Sequence, residues 1–267
     1  MTQPAAKKAR DAAAEILRLR DARQLIGPFP PAIAPVDEAE GYAVQEALHA
    51  AEVARGDGPF GGFKIGCTTP QMQERVGVDH PCFGGMRARH IVRSPQAYKA
   101  ANFHRIAIEC EIAVRLATGT EPGKAPYDRA SIARHVATVM PAIEIVDNRY
   151  VDSKTIGAPM LVADDFYHCG AVLGPEHADW KNIDLVRARG TTAINGQVLG
   201  EGTGADVLGH PFEALAWLAN ALAARGRSLP AGAVVLTGSL VVGQYPVAGD
   251  KVVCAISGLG EVHVDVV

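Results

Sequence analysis

Apolar residues near the start of the chain recur with a helical period, and the pattern predicts two helices before the texture changes. Residues 4–25 carry Ala13, Leu17 and Leu25 on one side, and the run Gly27-Pro28-Phe29-Pro30-Pro31 stops that helix. Residues 37–55 form the second, with Asp37 as its cap and Gly56 ending it. From Gly61 onward short apolar runs alternate with Gly, Pro, Asn and Asp, which is the signature of strands and tight turns. Strands are predicted over 106–116, 136–146, 190–199, 233–237, 251–256 and 261–266, with a hairpin signal at Asn195-Gly196. The last two pair across Gly258-Leu259-Gly260. One further helix is predicted over 211–225, with Pro211 in its first turn, Gly226 past its end, and Leu215, Leu218, Ala219 and Leu222 on one side. The expectation is an α+β chain with a helical N-terminal region over residues 1–60 and a β-rich domain over residues 61–267.

Composition narrows the partners. The 267 residues are 48% hydrophobic and 21% charged, enough to bury a sizeable core. A net charge of −3 gives no electrostatic footprint for nucleic acid or an anionic membrane. The early cations Lys7, Lys8, Arg10, Arg18, Arg20 and Arg23 are interrupted by acids and read as a solvated helix face. Cys67, Cys82, Cys110, Cys169 and Cys254 are odd in number and widely spread, with no C-x-x-C pair, which argues against a disulfide framework and against structural zinc, and for a reducing compartment. Glu15 and Arg18 break the Ala-rich start, so no signal peptide is read there. No run approaches the roughly 18 apolar residues of a membrane span. The expected location is the cytoplasm.

Candidate chemistry sits first in Ile106–Arg115. In a strand alternate residues share a face, so Ile106, Ile108, Cys110, Ile112 and Val114 form one apolar face, and Ala107, Glu109, Glu111, Ala113 and Arg115 form the other. Two carboxylates then stand ~7 Å apart on one face, where something positive should lie between them. Taken alone, the segment better suits a half-exposed strand with a solvated acidic face. Glu144 adds weight, because its near neighbours in Pro-Ala-Ile-Glu-Ile-Val are apolar and a buried carboxylate needs a cation or a proton. Arg115 or Arg149 could serve as that cation. Three carboxylates from two strands also match the oxygen ligands of a hard divalent ion, Mg²⁺ or Mn²⁺, better than those of zinc.

Lys64, set among glycines and apolar residues in Gly61-Gly-Phe-Lys-Ile-Gly-Cys67, is placed where desolvation lowers an ammonium toward the working range. A snorkelling surface lysine is the alternative. Asp79 could orient Lys64 or act as a base, or simply form the turn before Pro81. Thr237-Gly238-Ser239, at a strand end, offers hydroxyls and backbone N–H groups to a carboxylate, or a plain turn. There is no dinucleotide fingerprint, phosphate loop or nucleophile elbow. His80, His104, His168, His210 and His263 show no H-E-x-x-H pattern and read as structural rather than catalytic.

Together these residues resemble the 2-keto-4-pentenoate hydratase and 4-oxalocrotonate decarboxylase family, within the fumarylacetoacetate hydrolase superfamily. The matching stretches are Gly41–Gln45, Gly62–Gly66, Gly77–Asp79, Ile108–Ile112, Glu144–Asp147, Leu208–Pro211, Trp217–Asn220 and Thr237–Ser239, covering nearly the whole chain. The resemblance implies a mixed β roll or barrel in homo-oligomers, with residues 61–267 as the catalytic domain. It implies Glu109, Glu111 and Glu144 as ligands of Mg²⁺ or Mn²⁺, Lys64 and Asp79 as catalytic residues, and Ser239, with Thr237 beside it, as substrate-binding. The implied reaction is hydration of a 2-hydroxy-dienoate to a 4-hydroxy-2-oxo acid in the breakdown of aromatic compounds. Decarboxylation of a 2-oxo-dioate such as 4-oxalocrotonate is the runner-up and C–C hydrolysis of an acylpyruvate the third. A noncatalytic partner subunit of a neighbouring pathway enzyme is the reading of a different class. The stretch Val162–Gly170 departs from the family: Asp165 stands for an asparagine, and Phe166, Tyr167 and His168 bring bulk.

Overall fold

The computed structural model describes residues 3–152 and 155–267. Helix α1 (Gln3–Asp21) buries Ala9, Ala12, Ala13, Ile16 and Leu19. It ends four residues before the expected boundary, leaving Leu25 44% exposed. Helix α2 (Glu38–Ala54) starts at the Asp37 cap, whose side chain accepts from the Glu40 N–H. Both helices share one core with the strands, Ile16 and Leu48 packing in the same cluster as Phe63 and Phe83. Arg20 does not belong to a solvated face: it turns inward and donates to the buried carboxylate of Asp164 at 2.7 Å.

The chain continues through β1 (Phe60–Gly66), α3 (Pro70–Val76), β2 (Cys82–Arg87), β3 (Ile91–Arg93) and β4 (Gln96–Tyr98). Strands β5 (Ile106–Leu116) and β6 (Val136–Asp147) flank α4 (Arg129–Ala133), and α5 (Ala158–Ala163) precedes β7 (His168–Leu173). Last come β8 (Arg189–Ile194), β9 (Gln197–Thr203), α6 (Pro211–Ala223), β10 (Val234–Ser239), β11 (Lys251–Ile256) and β12 (Gly260–Val266). A mixed seven-stranded sheet runs β2-β1-β10-β5-β6-β7-β3, and a mixed five-stranded sheet runs β4-β12-β11-β8-β9.

The fold is thus α+β with mixed sheets, but neither sheet closes into a barrel. In the larger sheet the reason is visible at the β2 edge, where side chains take the ladder positions a further strand would use. Phe83 N–H donates to the Tyr42 hydroxyl at 3.2 Å, and the Phe83 carbonyl accepts from Gln45 at 3.0 Å. Gly85 N–H donates to Asp165 at 2.8 Å. An edge satisfied in this way cannot add another strand. On its other side β2 pairs antiparallel with β1, which in turn pairs parallel with β10. Gly62 permits that approach, since a Cβ there would lie 1.8 Å from the Val234 carbonyl oxygen. Among the described residues no helix is long and apolar enough to cross a membrane.

Candidate metal centre

The antiparallel register of β5 and β6 pairs Glu109 with Glu144, and that of β5 and β10 pairs Glu111 with Ser239. Three carboxylates therefore meet in the middle of the large sheet, and one oxygen from each lies within 4.8 Å of the others. Glu111 and Glu144 are fully buried, and Glu109 is half-buried. From β1, on the far side of β10, Lys64 brings Nζ to 3.3 Å from Glu144 Oε1. The same ammonium donates to the Phe166 carbonyl at 3.1 Å. Arg115 and Arg149 are not the partners of Glu144; they are engaged by Glu176 and Asp164.

The electrostatics differ from what Lys64's setting suggests. Burial alone pushes its ammonium down, but Glu144, Glu109 and Glu111 together outweigh it, and the net direction is up. Burial also pushes the carboxyls up, with their mutual repulsion adding to it: Glu109 rises to about 7 and Glu111 well above its ordinary value. In Glu144 burial is outweighed by Lys64 and His168, which hold it below the usual range.

His168, read as structural from the sequence, belongs to the site. Its Nδ1 lies 2.9 Å from Glu144 Oε1. An ionised carboxylate can only accept, so Nδ1 carries the hydrogen. A cavity of about 410 Å³, lined by Arg20, Arg87, Arg149 and Asp165 among others, opens beside His168 but does not include the three glutamates. The stretch that departs from the family also serves Lys64. Asp165, Phe166 and Tyr167 are successive left-handed residues, with φ of 56°, 52° and 69°. The Asp165 carboxylate, tied to Gly85 N–H and to His49 at 2.7 Å, holds this turn. The turn aims the Phe166 carbonyl at Lys64 and sets the Phe166 ring 5.6 Å from Nζ.

The other candidates are placed differently. Asp79 lies outside the cluster, its side chain 99% exposed, beside His80 in the loop after α3. The Thr237 hydroxyl is buried and donates to the Ile112 carbonyl at 2.8 Å. Ser239, half-buried, donates to the Val241 carbonyl at 2.6 Å. Between them Gly238 N–H donates to Glu111 Oε2 at 2.7 Å.

Two oxygens test whether these residues suit a cation: Glu111 Oε1 and Glu144 Oε2 are buried without a hydrogen-bond partner. Buried carboxylate oxygens are costly unless something satisfies them. An all-oxygen set of clustered acids matches a hard divalent ion.

A fold of mixed sheets of this kind is matched by known proteins. Residues 78–267 match the description of the fumarylacetoacetate (FAA) hydrolase C-terminal domain, and the chain belongs to that family. It is similar to the 2-keto-4-pentenoate hydratase of Paraburkholderia phymatum, at 32% identity over 94% of each chain. It is also similar to the 2-hydroxyhexa-2,4-dienoate hydratase of Comamonas testosteroni, at 38% identity over 74% of this chain and 75% of that one. Among solved structures, 4-oxalocrotonate decarboxylase from Pseudomonas putida G7, complexed with magnesium and adipate, superposes with a TM-score of 0.92. That match has 26% identity over 100% of this chain and 99% of the other. The relatives named hydratases are lyases, and the chain is an enzyme of that class.

Proposed function

We propose that the chain is a divalent-metal-dependent hydro-lyase that converts a 2-hydroxy-dienoate, through its 2-oxo-3-enoate tautomer, into a 4-hydroxy-2-oxo acid. The observation that carries this reading is the convergence of Glu109, Glu111 and Glu144 beside Lys64, with buried oxygens of Glu111 and Glu144 left without partners. These three residues would hold Mg²⁺ or Mn²⁺. Bound there, the ion supplies Lewis-acid stabilisation of negative charge on a substrate oxygen.

The remaining work falls to the chain's own groups. Lys64 is kept protonated by its carboxylate neighbours, so it is assigned as a proton donor first. Tautomerisation moves a proton from the C2 hydroxyl to the far end of the diene, and water then adds across the C3–C4 double bond. Its hydroxyl goes to C4 and its hydrogen to C3. Asp79 takes part only if the loop after α3 turns it inward, as catalytic loops often do. Ser239, across the ladder from Glu111, is assigned to the substrate carboxylate. Thr237 serves the same strand end, its own hydroxyl holding β10 to β5.

Hydratases among the relatives, at 32% and 38% identity, support hydration. Decarboxylation of a 2-oxo-dioate is the second reading, supported by the superposition on the decarboxylase bound to a dicarboxylate. Self-association into a homo-oligomer is part of the proposal. Exposed Val198 and Leu199 on β9, with Val242 and Tyr245 on the neighbouring loop, support it. A panel of 2-hydroxy-dienoates and 2-oxo-dioates, assayed with Mg²⁺ or Mn²⁺ and then with chelator, tests the function. Chelator-sensitive 4-hydroxy-2-oxo acid formation is expected. Release of CO₂ without hydration reverses the choice of reaction, and turnover indifferent to chelator removes the metal.

A further inference from the structure

A second cluster of metal-type ligands lies at the foot of the loop that carries Asp79. Glu38 opens α2, Cys82 opens β2, and His80 sits in the loop between α3 and β2. One ligand atom from each lies within 4.8 Å of the others. Cys82 is fully buried and its thiol is free of any disulfide.

The orientation of the imidazole is informative. His80 Nδ1 lies 2.8 Å from the Pro81 carbonyl oxygen. A carbonyl only accepts, so Nδ1 carries the hydrogen and a neutral ring presents the Nε2 lone pair. That lone pair faces Glu38 Oε1 at 3.4 Å. Two acceptors so placed call for a positive species between them, a proton or a metal ion. The thiol decides between the two. A protonated imidazole beside a carboxylate has no use for a third donor, whereas thiolate, imidazole and carboxylate form a ligand set of zinc-class cations. An N–H to carbonyl bond on the far side of the ring is also the usual support of a metal-bound histidine. The chemistry is unlike that of the three glutamates, whose oxygens suit a hard ion.

We propose that Glu38, His80 and Cys82 form a binding site for a borderline divalent cation of the zinc class. Such an ion ties the loop over residues 77–81 to α2 and β2. Asp79, next to His80, is then held in its outward position, away from Lys64. This last consequence rests on the proposed function; the binding site does not.

The test uses the reduced, full-length protein saturated with Mg²⁺ and titrated with Co²⁺. One equivalent of Co²⁺ is expected to produce a thiolate-to-metal charge-transfer band, which an oxygen-only site cannot give, and Zn²⁺ is expected to bleach it. Cys82→Ser should abolish the band. Because that residue is buried, His80→Gln in the exposed loop provides a second variant, expected to weaken Co²⁺ binding by about tenfold or more. No band in the parent protein, or a band that survives Cys82→Ser, overturns the site. Zn²⁺ lowering kcat in the parent but not in Cys82→Ser supports the hold on Asp79. A band with unchanged kcat overturns that hold alone. The spectrum reads the site even if the proposed reaction fails.

Discussion

Lys64→Met removes the ammonium from the carboxylate cluster while keeping a side chain of similar length. Nζ is buried and stands 3.3 Å from Glu144 Oε1. At an effective dielectric of about 20, charges at that separation attract by ~5 kcal/mol. Removing one partner of a buried pair typically costs about 3–5 kcal/mol, because the other is left uncompensated. Part of the cost is relieved where a carboxyl takes up a proton. The expected result is a loss of about 3 kcal/mol in the metal-free protein, read from urea unfolding in chelator. At one fixed Mg²⁺ concentration the gap should narrow, because the variant lacks the competing ammonium and binds the ion more tightly than the parent does. Turnover with saturating Mg²⁺ should still fall by about 10²–10⁴-fold, as for loss of a proton-transfer group. A variant that unfolds in chelator at the parent's midpoint and keeps the parent's kcat would refute both the charge pairing and the catalytic assignment.

His168→Ala takes away the N–H that orients Glu144 and should weaken Mn²⁺ binding by about 10–100-fold, measured by calorimetric titration. Unchanged affinity would place His168 outside the site. Glu176 is held down at about 2 by hydrogen bonds from Arg115, Thr138 and Arg93. Because its folded value lies below the unfolded one, its contribution is full above about pH 4.5 and is lost as pH falls through about 2. Discounted for partial exposure, that contribution is about 2 kcal/mol. Glu176→Gln should remove it, and with it that part of the acid sensitivity of unfolding.

The parts of the fold legible in the sequence are those in which periodicity and burial agree. Strands β5 and β6 fall close to where alternation and apolar runs place them, and Pro211 marks the start of α6. Strands β1 and β2 escape because Gly61, Gly62 and Gly66, with Gly84 and Gly85, dilute their strand character; close approach of neighbouring backbones is what selects glycine at Gly62 and Gly84. The three glutamates were legible as one face and one buried neighbour. Their meeting point was not, because it depends on the β5–β6 register, which no local signal specifies. His168 was missed for a related reason: a register shift between Ile145 and Val146 sets its strand against Glu144, 24 residues away in sequence. The direction of the Lys64 shift was misjudged because burial was visible in its neighbours, while the opposing carboxylates arrive from other strands.

Titration of the metal-free chain with Mn²⁺ bears most directly on the central assignment, because it reads binding without any choice of substrate. One tightly bound ion per chain is expected at the glutamates, weakened by more than about 100-fold in Glu111→Gln or Glu144→Gln variants that remain folded. Parent-like stoichiometry and affinity in either variant would contradict it.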